Sequence, residues 1–294
     1  MKALFSKGKT GSVLIMLAAL CWSTCGVLVK SSQWSGLSIA VLRGVLTMLV
    51  YLVVLGHVRI KLTKMKVGIA VCFFMQSILF MCANKFTTAG SVTALQNTSP
   101  IYIIVLNALV LKHKPKWVDI LTCVSLLLGI FLTVAGGNEG SHLLGNCLAL
   151  ISGVFYAAVF FFSSVSQMDT LESLVLGNAL YVLLLPVLLR DPAVAAGGIR
   201  GWLYPILCSL LCGCLAWLFF RAGIKSCSPL QANFVAMLEP VVSPIWTLIF
   251  LGERMPPLSL VGCVLVIVTL LIYNAKTQKQ AAKQPAPPPV ECAR

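Results

Sequence analysis

Charge is scarce in this chain, and acid is scarcer: 10% of the 294 residues are charged, with 8 Asp and Glu against 22 Lys and Arg. A soluble domain of this length clothes itself in charges of both signs, so the shortage excludes an ordinary water-soluble fold. Catalytic signatures are missing too. There is no H-E-x-x-H, no nucleophile elbow, no phosphate loop and no pair of acids within an apolar run, so an enzyme is not expected. Histidine is limited to His57, His113 and His142, all in polar connections. Without them beside the cysteines, no metal site and no cofactor are expected. Long polar loops and separate soluble domains are absent as well, which weakens the alternative of a non-transporting membrane scaffold or interaction protein.

What the chain has is apolar length. Hydrophobic residues make up 59%, and mean hydropathy is +0.96. Apolar runs with at most one charge each recur at 13–29, 37–56, 67–83, 89–111, 117–135, 143–166, 171–189, 202–220, 229–251 and 257–273, each near the roughly 20 residues that cross a bilayer as a helix. The expected fold is an all-α polytopic membrane protein with ten transmembrane helices in a lipid bilayer. Asp119 and Glu172 stand at the very starts of two of those runs, and only Arg43 and Glu239 carry charge deeper inside them.

The net charge of +14 would suit nucleic acid if it were spread over amphipathic faces, but Lys and Arg gather in alternate loops. The excess of positive charge on the cytoplasmic side of membrane proteins explains this better, and nucleic acid is not an expected partner. With the N-terminus inside, sixteen Lys and Arg fall in cytoplasmic segments around 2–9, 59–66, 112–116, 221–225 and 276–294, against five at Lys30, Lys85, Arg190, Arg200 and Arg254. The expectation is a multi-pass protein of the cell membrane, plasma or inner, with both termini cytoplasmic. The twelve cysteines, including the close group Cys208, Cys212 and Cys214, lie mostly inside spans and read as small buried hydrophobes without disulfides.

The chain also repeats itself. At a shift of 134, Gly11 meets Gly145, Trp22 meets Tyr156, and Val41-Leu42 meet Val175-Leu176. At a shift of 140, Cys72 meets Cys212, Phe80 meets Phe220, Pro100 meets Pro240 and Cys123 meets Cys263. Two five-helix repeats over 11–135 and 143–274 are expected, followed by a disordered cytoplasmic tail at 275–294 whose Pro run and scattered Lys cannot build a core. Five is odd, so the second repeat enters the membrane from the opposite side and the repeats are inverted. The opening segment imitates a signal peptide, but its match to the sixth span marks it as a retained helix.

Candidate site residues follow from depth and spacing. Glu239 stands roughly 15 Å into its span, near the middle of a core about 30 Å thick, where an ionised carboxylate needs a partner or a proton. Pro240 and Pro244 each delete a backbone donor beside it, so a kink is expected there. Glu239, Ser243 and Trp246 share a stripe at i, i+4 and i+7. In the fourth span, Thr93, Asn97, Pro100 and Asn107 share a face, matched in the ninth by Asn233, Met237, Pro240 and Thr247. Polar groups on matching faces beside proline breaks suit a cavity where repeats meet, although interhelical hydrogen bonding alone would account for them as well. Trp22 and Tyr156 lie deep in matching spans, away from the interfacial aromatic belts. Together with Gln76 and Trp217 they complete the candidate cavity set of Trp22, Gln76, Asn97, Tyr156, Trp217, Asn233 and Glu239. Arg43 lies about six residues into the second span and is a candidate charge partner for Glu239, on depth alone.

The segments LQNTSPIYIIVLNALVL and LEPVVSPIWTLIFLGER, with the early Arg in the second span, resemble the EamA-like branch of the drug/metabolite transporter superfamily. The likeness covers about 11–274 and is sharpest at Leu238-Glu239-Pro240 followed by Leu251 to Arg254. The first half departs from it, with Ser99 at the Glu position and Lys112-His113-Lys114 where G-E-R would stand. The resemblance implies ten helices, a central cavity, and export or exchange of small metabolites such as amino acids or drugs. A secondary transporter of small organic molecules working by alternating access is therefore the expected function.

Overall fold

The computed structural model describes residues 2–55, 62–110, 112, 116–136, 140–166, 170–224, 235–236 and 238–281, and among these the regular structure is all helical, with no strand. In hydrocarbon there is no water to satisfy backbone groups, so a single segment must close its own hydrogen bonds, as a helix does. The helices are α1 (Lys2–Ser23), α2 (Cys25–Ser31), α3 (Gly36–Leu55), α4 (Lys64–Phe86), α5 (Ala89–Gln96), α6 (Ser99–Val110), α7 (Trp117–Gly136) and α8 (Gly140–Ser166). In the second half come α9 (Thr170–Ala179), a 3-10 turn at Leu180–Leu184, α10 (Leu185–Arg190), α11 (Pro192–Ala196), α12 (Gly198–Cys208), a π-helical segment at Ser209–Leu215, α13 (Ala216–Ile224), α14 (Leu238–Leu251) and α15 (Pro257–Ala281).

Among the described residues, seven stretches are long and apolar enough to cross a membrane: Gly11–Ser31, Gly36–Val53, Lys64–Phe86, Trp117–Gly136, His142–Val159, Glu172–Arg190 and Gly201–Gly223. Leu238–Leu251 and Pro257–Tyr273 are shorter apolar helices, and the expected span at 89–111 is divided between α5 and α6. α15 runs on to Ala281, seven residues into the stretch expected to be a disordered tail. The reason is local: AKTQKQA is built largely of good helix formers, so the last turns continue beyond the apolar run. The rest of that tail lies outside the described residues.

The halves interlock. α1 packs on α13 and α4 on α8, α3 lies against α9 and the π segment, α14 contacts α1, α2 and α5, and α7 runs along α15. Trp34, Tyr181, Ile39 and Met81 anchor the largest buried cluster, with a smaller one around Leu126, Val266 and Leu270. α7 turns Leu121, Val124, Leu128 and Phe131 outward, an apolar face that lipid covers.

Small residues let backbones touch. A Cβ added to Gly262 on α15 would lie 2.5 Å from the Thr133 amide nitrogen and 2.6 Å from the Gly129 carbonyl oxygen on α7. Hydroxyls bond across the same seam, Ser125 with Thr269 at 2.6 Å and Ser259 donating to the Thr133 carbonyl at 2.8 Å. Close approach with interhelical hydrogen bonds replaces the hydrophobic drive that lipid does not supply.

Polar contacts tie the helix ends. Lys30 pairs with Glu253 at 2.7 Å, Lys66 pairs with Glu172 at 2.5 Å, and Lys85 donates to the Ser32 carbonyl at 2.6 Å. Asp191 opens α11 and accepts from the Ala193 amide, the Ser35 amide and the Ser38 hydroxyl. Burial works against its ionised form, yet these donors outweigh it and hold the carboxyl below its usual range.

Candidate functional site

The first span breaks in its middle. Ser23 and Thr24 turn their hydroxyls back onto the Leu20 and Cys21 carbonyls at 2.7 Å each, and the Thr24 amide reaches Cys21 oxygen at 3.3 Å, three residues back instead of four. Such back-bonding offers the chain an alternative to the regular ladder, and adjacent Ser and Thr supply it twice. α1 therefore ends at Ser23 and α2 restarts at Cys25.

α14 faces this break. Trp246 donates its indole N–H to Ser23 Oγ at 3.0 Å. One turn earlier, Ser243 lies beside Gly26, whose missing side chain allows the approach: an added Cβ would stand 2.4 Å from Ala89 Cβ on α5, 3.4 Å from Asn84 Oδ1 and 3.5 Å from Ser243 Oγ. Asn84 Oδ1 and Ser243 Oγ are both buried with no hydrogen-bond partner among the described residues. Two unmet polar atoms flanking one glycine mark a place where a polar guest gains bonds the protein leaves open.

Glu239 is a turn before Ser243, half-buried, and α14 remains helical through Pro244. Its carboxylate is within electrostatic reach of Cys25, and Tyr156 on α8 lies within reach of Glu239. The i, i+4, i+7 stripe thus looks onto the broken first span, with Tyr156 beside it. Arg43 is elsewhere. Its guanidinium donates to Ser77 on α4 and interacts with Tyr181, and among the described residues the ion pairs do not include one between Arg43 and Glu239. Depth placed these two charges at similar levels, but they lie on differently directed faces.

Trp22 and Trp217 do come together, ring centroids 5.2 Å apart and edge to face, with Phe220 at 5.5 Å from Trp22 and Phe73 at 6.0 Å from Trp217. Trp22 immediately precedes Ser23, so the aromatic group abuts the break. Gln76 is half-buried on α4, next to Ser77.

Asn97 occupies a second break, between α5 and α6. Its amide donates to the Thr93 carbonyl at 2.8 Å, and the Thr98 hydroxyl to the Leu95 carbonyl at 2.6 Å. Pro100, which has no amide hydrogen, leaves the carbonyl four residues earlier free, which is why the helix parts here. At 8% exposure, with its amide turned back on its own helix, Asn97 closes the break. Beside it Gln96 donates to Ser152 on α8 at 2.7 Å, both buried. Asn233 and Met237 lie outside the described residues, as does the side chain of Asn107.

Depth and helical spacing miss Ser23, Asn84, Gln96, Ser77 and Cys25, although the run Trp22-Ser23-Thr24-Cys25-Gly26 carried a signal in its adjacent small polar residues at mid-span. Of the expected cysteine group, Cys214 turns to Thr47 at 3.9 Å, while Cys208 and Cys212 join Cys25. The ten described cysteines are free thiols.

Comparison with known proteins fits this architecture. The model of the EamA-like transporter family matches twice, over residues 9–135 and 143–275. The uncharacterized transporter YwfM of Bacillus subtilis is 25% identical, covering 95% of this chain and 99% of its own length. An uncharacterized transporter of Archaeoglobus fulgidus is 24% identical over 89% of this chain and 95% of its own, and one of Clostridium kluyveri is 22% identical over 92% and 95%. A crystal structure of a protein with 14% identity superposes with a TM-score of 0.62 over 92% of this chain and 98% of that one, which is likeness of fold alone.

Proposed function

Because the chain belongs to the EamA-like transporter family, we propose that it is a secondary transporter that exports or exchanges small organic metabolites, such as amino acids or drugs, by alternating access around a mid-membrane site. The observation that carries this reading is the broken first span faced by Glu239, Ser243 and Trp246, with the unmet Asn84 and Ser243 oxygens at its centre. Discontinuous helices meeting near the midplane expose backbone polarity where a solute can use it. Trp22, Trp217 and Tyr156 add apolar walls with polar edges, suited to an amphipathic guest.

Ten spans in two inverted repeats are part of the proposal. Threaded that way, α1 on α13 is the first span on the eighth, and α4 on α8 is the third on the sixth: one contact with the halves exchanged, as a two-fold axis produces. The α3 contact with the π segment and the α4 contact with α9 form a second such pair. Cross-element polar contacts also join loops that this threading assigns to one side. Lys30 to Glu253, Lys85 to Ser32 and Asp191 to Ser35 fall on the outer side, and Lys66 to Glu172 and Tyr273 to Asp119 on the inner. The asymmetry of Lys and Arg supports a cytoplasmic location for that inner side and for both termini.

Two measurements test the reading. Proteoliposomes loaded with a metabolite panel should show counterflow of at least one labelled solute above protein-free vesicles; no counterflow across amino acids, amines and amphipathic drugs would sink the transport assignment. For orientation, a single accessible cysteine placed at Lys112 should resist an impermeant thiol reagent in intact cells and react after permeabilisation. Labelling in intact cells would invert the threading.

A further inference from the structure

We propose that Cys25, Cys208 and Cys212 form a binding site for a thiophilic divalent ion of filled d shell, Zn2+ or its softer analogue Cd2+, clasped between the two halves of the chain. Their sulfurs all lie within 4.8 Å of one another, Cys25 and Cys208 at 3.9 Å. Three sulfurs held about 2.3 Å from one zinc ion stand roughly 3.8–4.0 Å apart, so only Cys212 must close in. It does so by giving up the hydrogen bond that its thiol donates to the Cys21 carbonyl, now 3.1 Å. Cys208 ends α12 and Cys212 stands in the π segment, where the wider turn keeps residues four apart on one face. Cys25 comes from α2 in the first half. All three are at most 4% exposed.

The surroundings select the ion. Met81 Sδ is 3.9 Å from Cys25 Sγ and fully buried, a soft fourth donor within reach, whereas Mg2+ and Ca2+ require oxygen. Binding is ligand exchange without redox change: three S–H bonds lose protons to solvent and three sulfur–metal bonds form. Three thiolates and a divalent ion leave one negative charge, and the Arg43 guanidinium lies within electrostatic reach of all three sulfurs, so the cluster is neutral overall. A monovalent ion would leave a further negative charge uncompensated in a medium that penalises it heavily. Arg43, which has no acid partner among the described residues, thereby has an anion to face. The proposal is independent of the transported solute.

The test uses full-length protein in detergent, reduced with a non-thiol phosphine, stripped of metal and titrated with Cd2+ alone. Thiolate-to-cadmium charge-transfer absorption should saturate at about one ion per chain, with about three protons released per ion. Mass spectrometry after alkylation should find Cys25, Cys208 and Cys212 protected by Cd2+. Cys25→Ser should abolish the charge-transfer band, and Arg43→Gln should weaken binding by about 10–100-fold, as loss of a supporting outer group does. Cys147→Ser, which removes an exposed thiol, should change nothing. Should the Cys25 variant fail to fold, proton release and alkylation protection in the unaltered protein still decide. No charge-transfer band, protection confined to other cysteines, or an equal band in the Cys25→Ser variant would each overturn the site.

Discussion

Glu239→Gln is expected to abolish solute movement driven by a pH gradient while leaving solute exchange largely intact. Glu239 is the one acid deep inside an apolar run, it makes no ion pair among the described residues, and it looks onto the broken first span beside Tyr156 and Cys25. A carboxylate at that depth without a cation costs several kcal/mol while ionised, so changes of protonation there are coupled to changes of access. The amide copies the protonated acid in shape and hydrogen bonding but cannot lose the proton. If protons load this site, gradient-driven uptake should fall by at least about tenfold, the equivalent of 1.4 kcal/mol, with counterflow within about twofold of the unaltered protein. If Glu239 only braces the helix around Pro240, both activities survive per folded molecule, or the folded yield drops. Undiminished gradient-driven uptake in the Gln variant rules out coupling, provided uptake is normalised to the monodisperse fraction on size exclusion.

The second large effect is on folding. Gly262→Leu should remove most of the folded protein, because the added carbons meet the Thr133 nitrogen and the Gly129 oxygen. These are backbone atoms of a packed helix and cannot rotate aside as a flexible side chain would. Overpacking a well-filled interface costs about 1–3 kcal/mol, and here the only relief is to part α7 from α15, which also breaks the Ser125–Thr269 and Ser259–Thr133 bonds. Gly68→Ala provides the contrast. Gly68 is exposed on α4 with nothing within 4 Å of an added Cβ, so alanine should be neutral or gain roughly 0.5–1 kcal/mol of helix stability. Thermal melting of the two variants in one detergent separates them. A Gly262→Leu melting point within a degree or two of the unaltered protein would mean that the seam is looser than its distances imply.

Position along a helix was legible in the sequence; rotation about it was only partly so. Glu239, Ser243 and Trp246 fell on one stripe by spacing, and that stripe meets the first span. The Trp22 to Trp217 contact joined two members of the candidate cavity set, of which Trp22 alone had been chosen for depth. Asn97 was legible as a mid-span polar group beside Pro100, but its amide satisfies Thr93 of its own helix, a choice that spacing does not settle. The suggested Arg43–Glu239 pair rested on depth alone, and depth says nothing about which neighbour a helix face meets. Cys208 and Cys212 were legible as neighbours, but Cys25 could not be grouped with them in advance, because it stands 183 residues before Cys208 and their meeting depends on how α2 packs against α12.

The cluster that holds Arg43 also bears on biosynthesis. Ser77 follows 34 residues after Arg43, and Tyr181 is a further hundred or so behind. At about 5–20 residues per second, Tyr181 leaves the ribosome roughly 7–28 s after Arg43. An arginine near the centre of a helix adds about 2.5–3.5 kcal/mol to the cost of entering the membrane from the translocon, so through that interval the segment Gly36–Val53 relies on its own apolar content and on Ser77. Delivery of the second span is therefore a matter of timing: nascent chains too short for Ser77 to have left the ribosome should leave it stalled at the insertion channel, while chains long enough for Ser77 to have entered the membrane beside Arg43 release it into lipid.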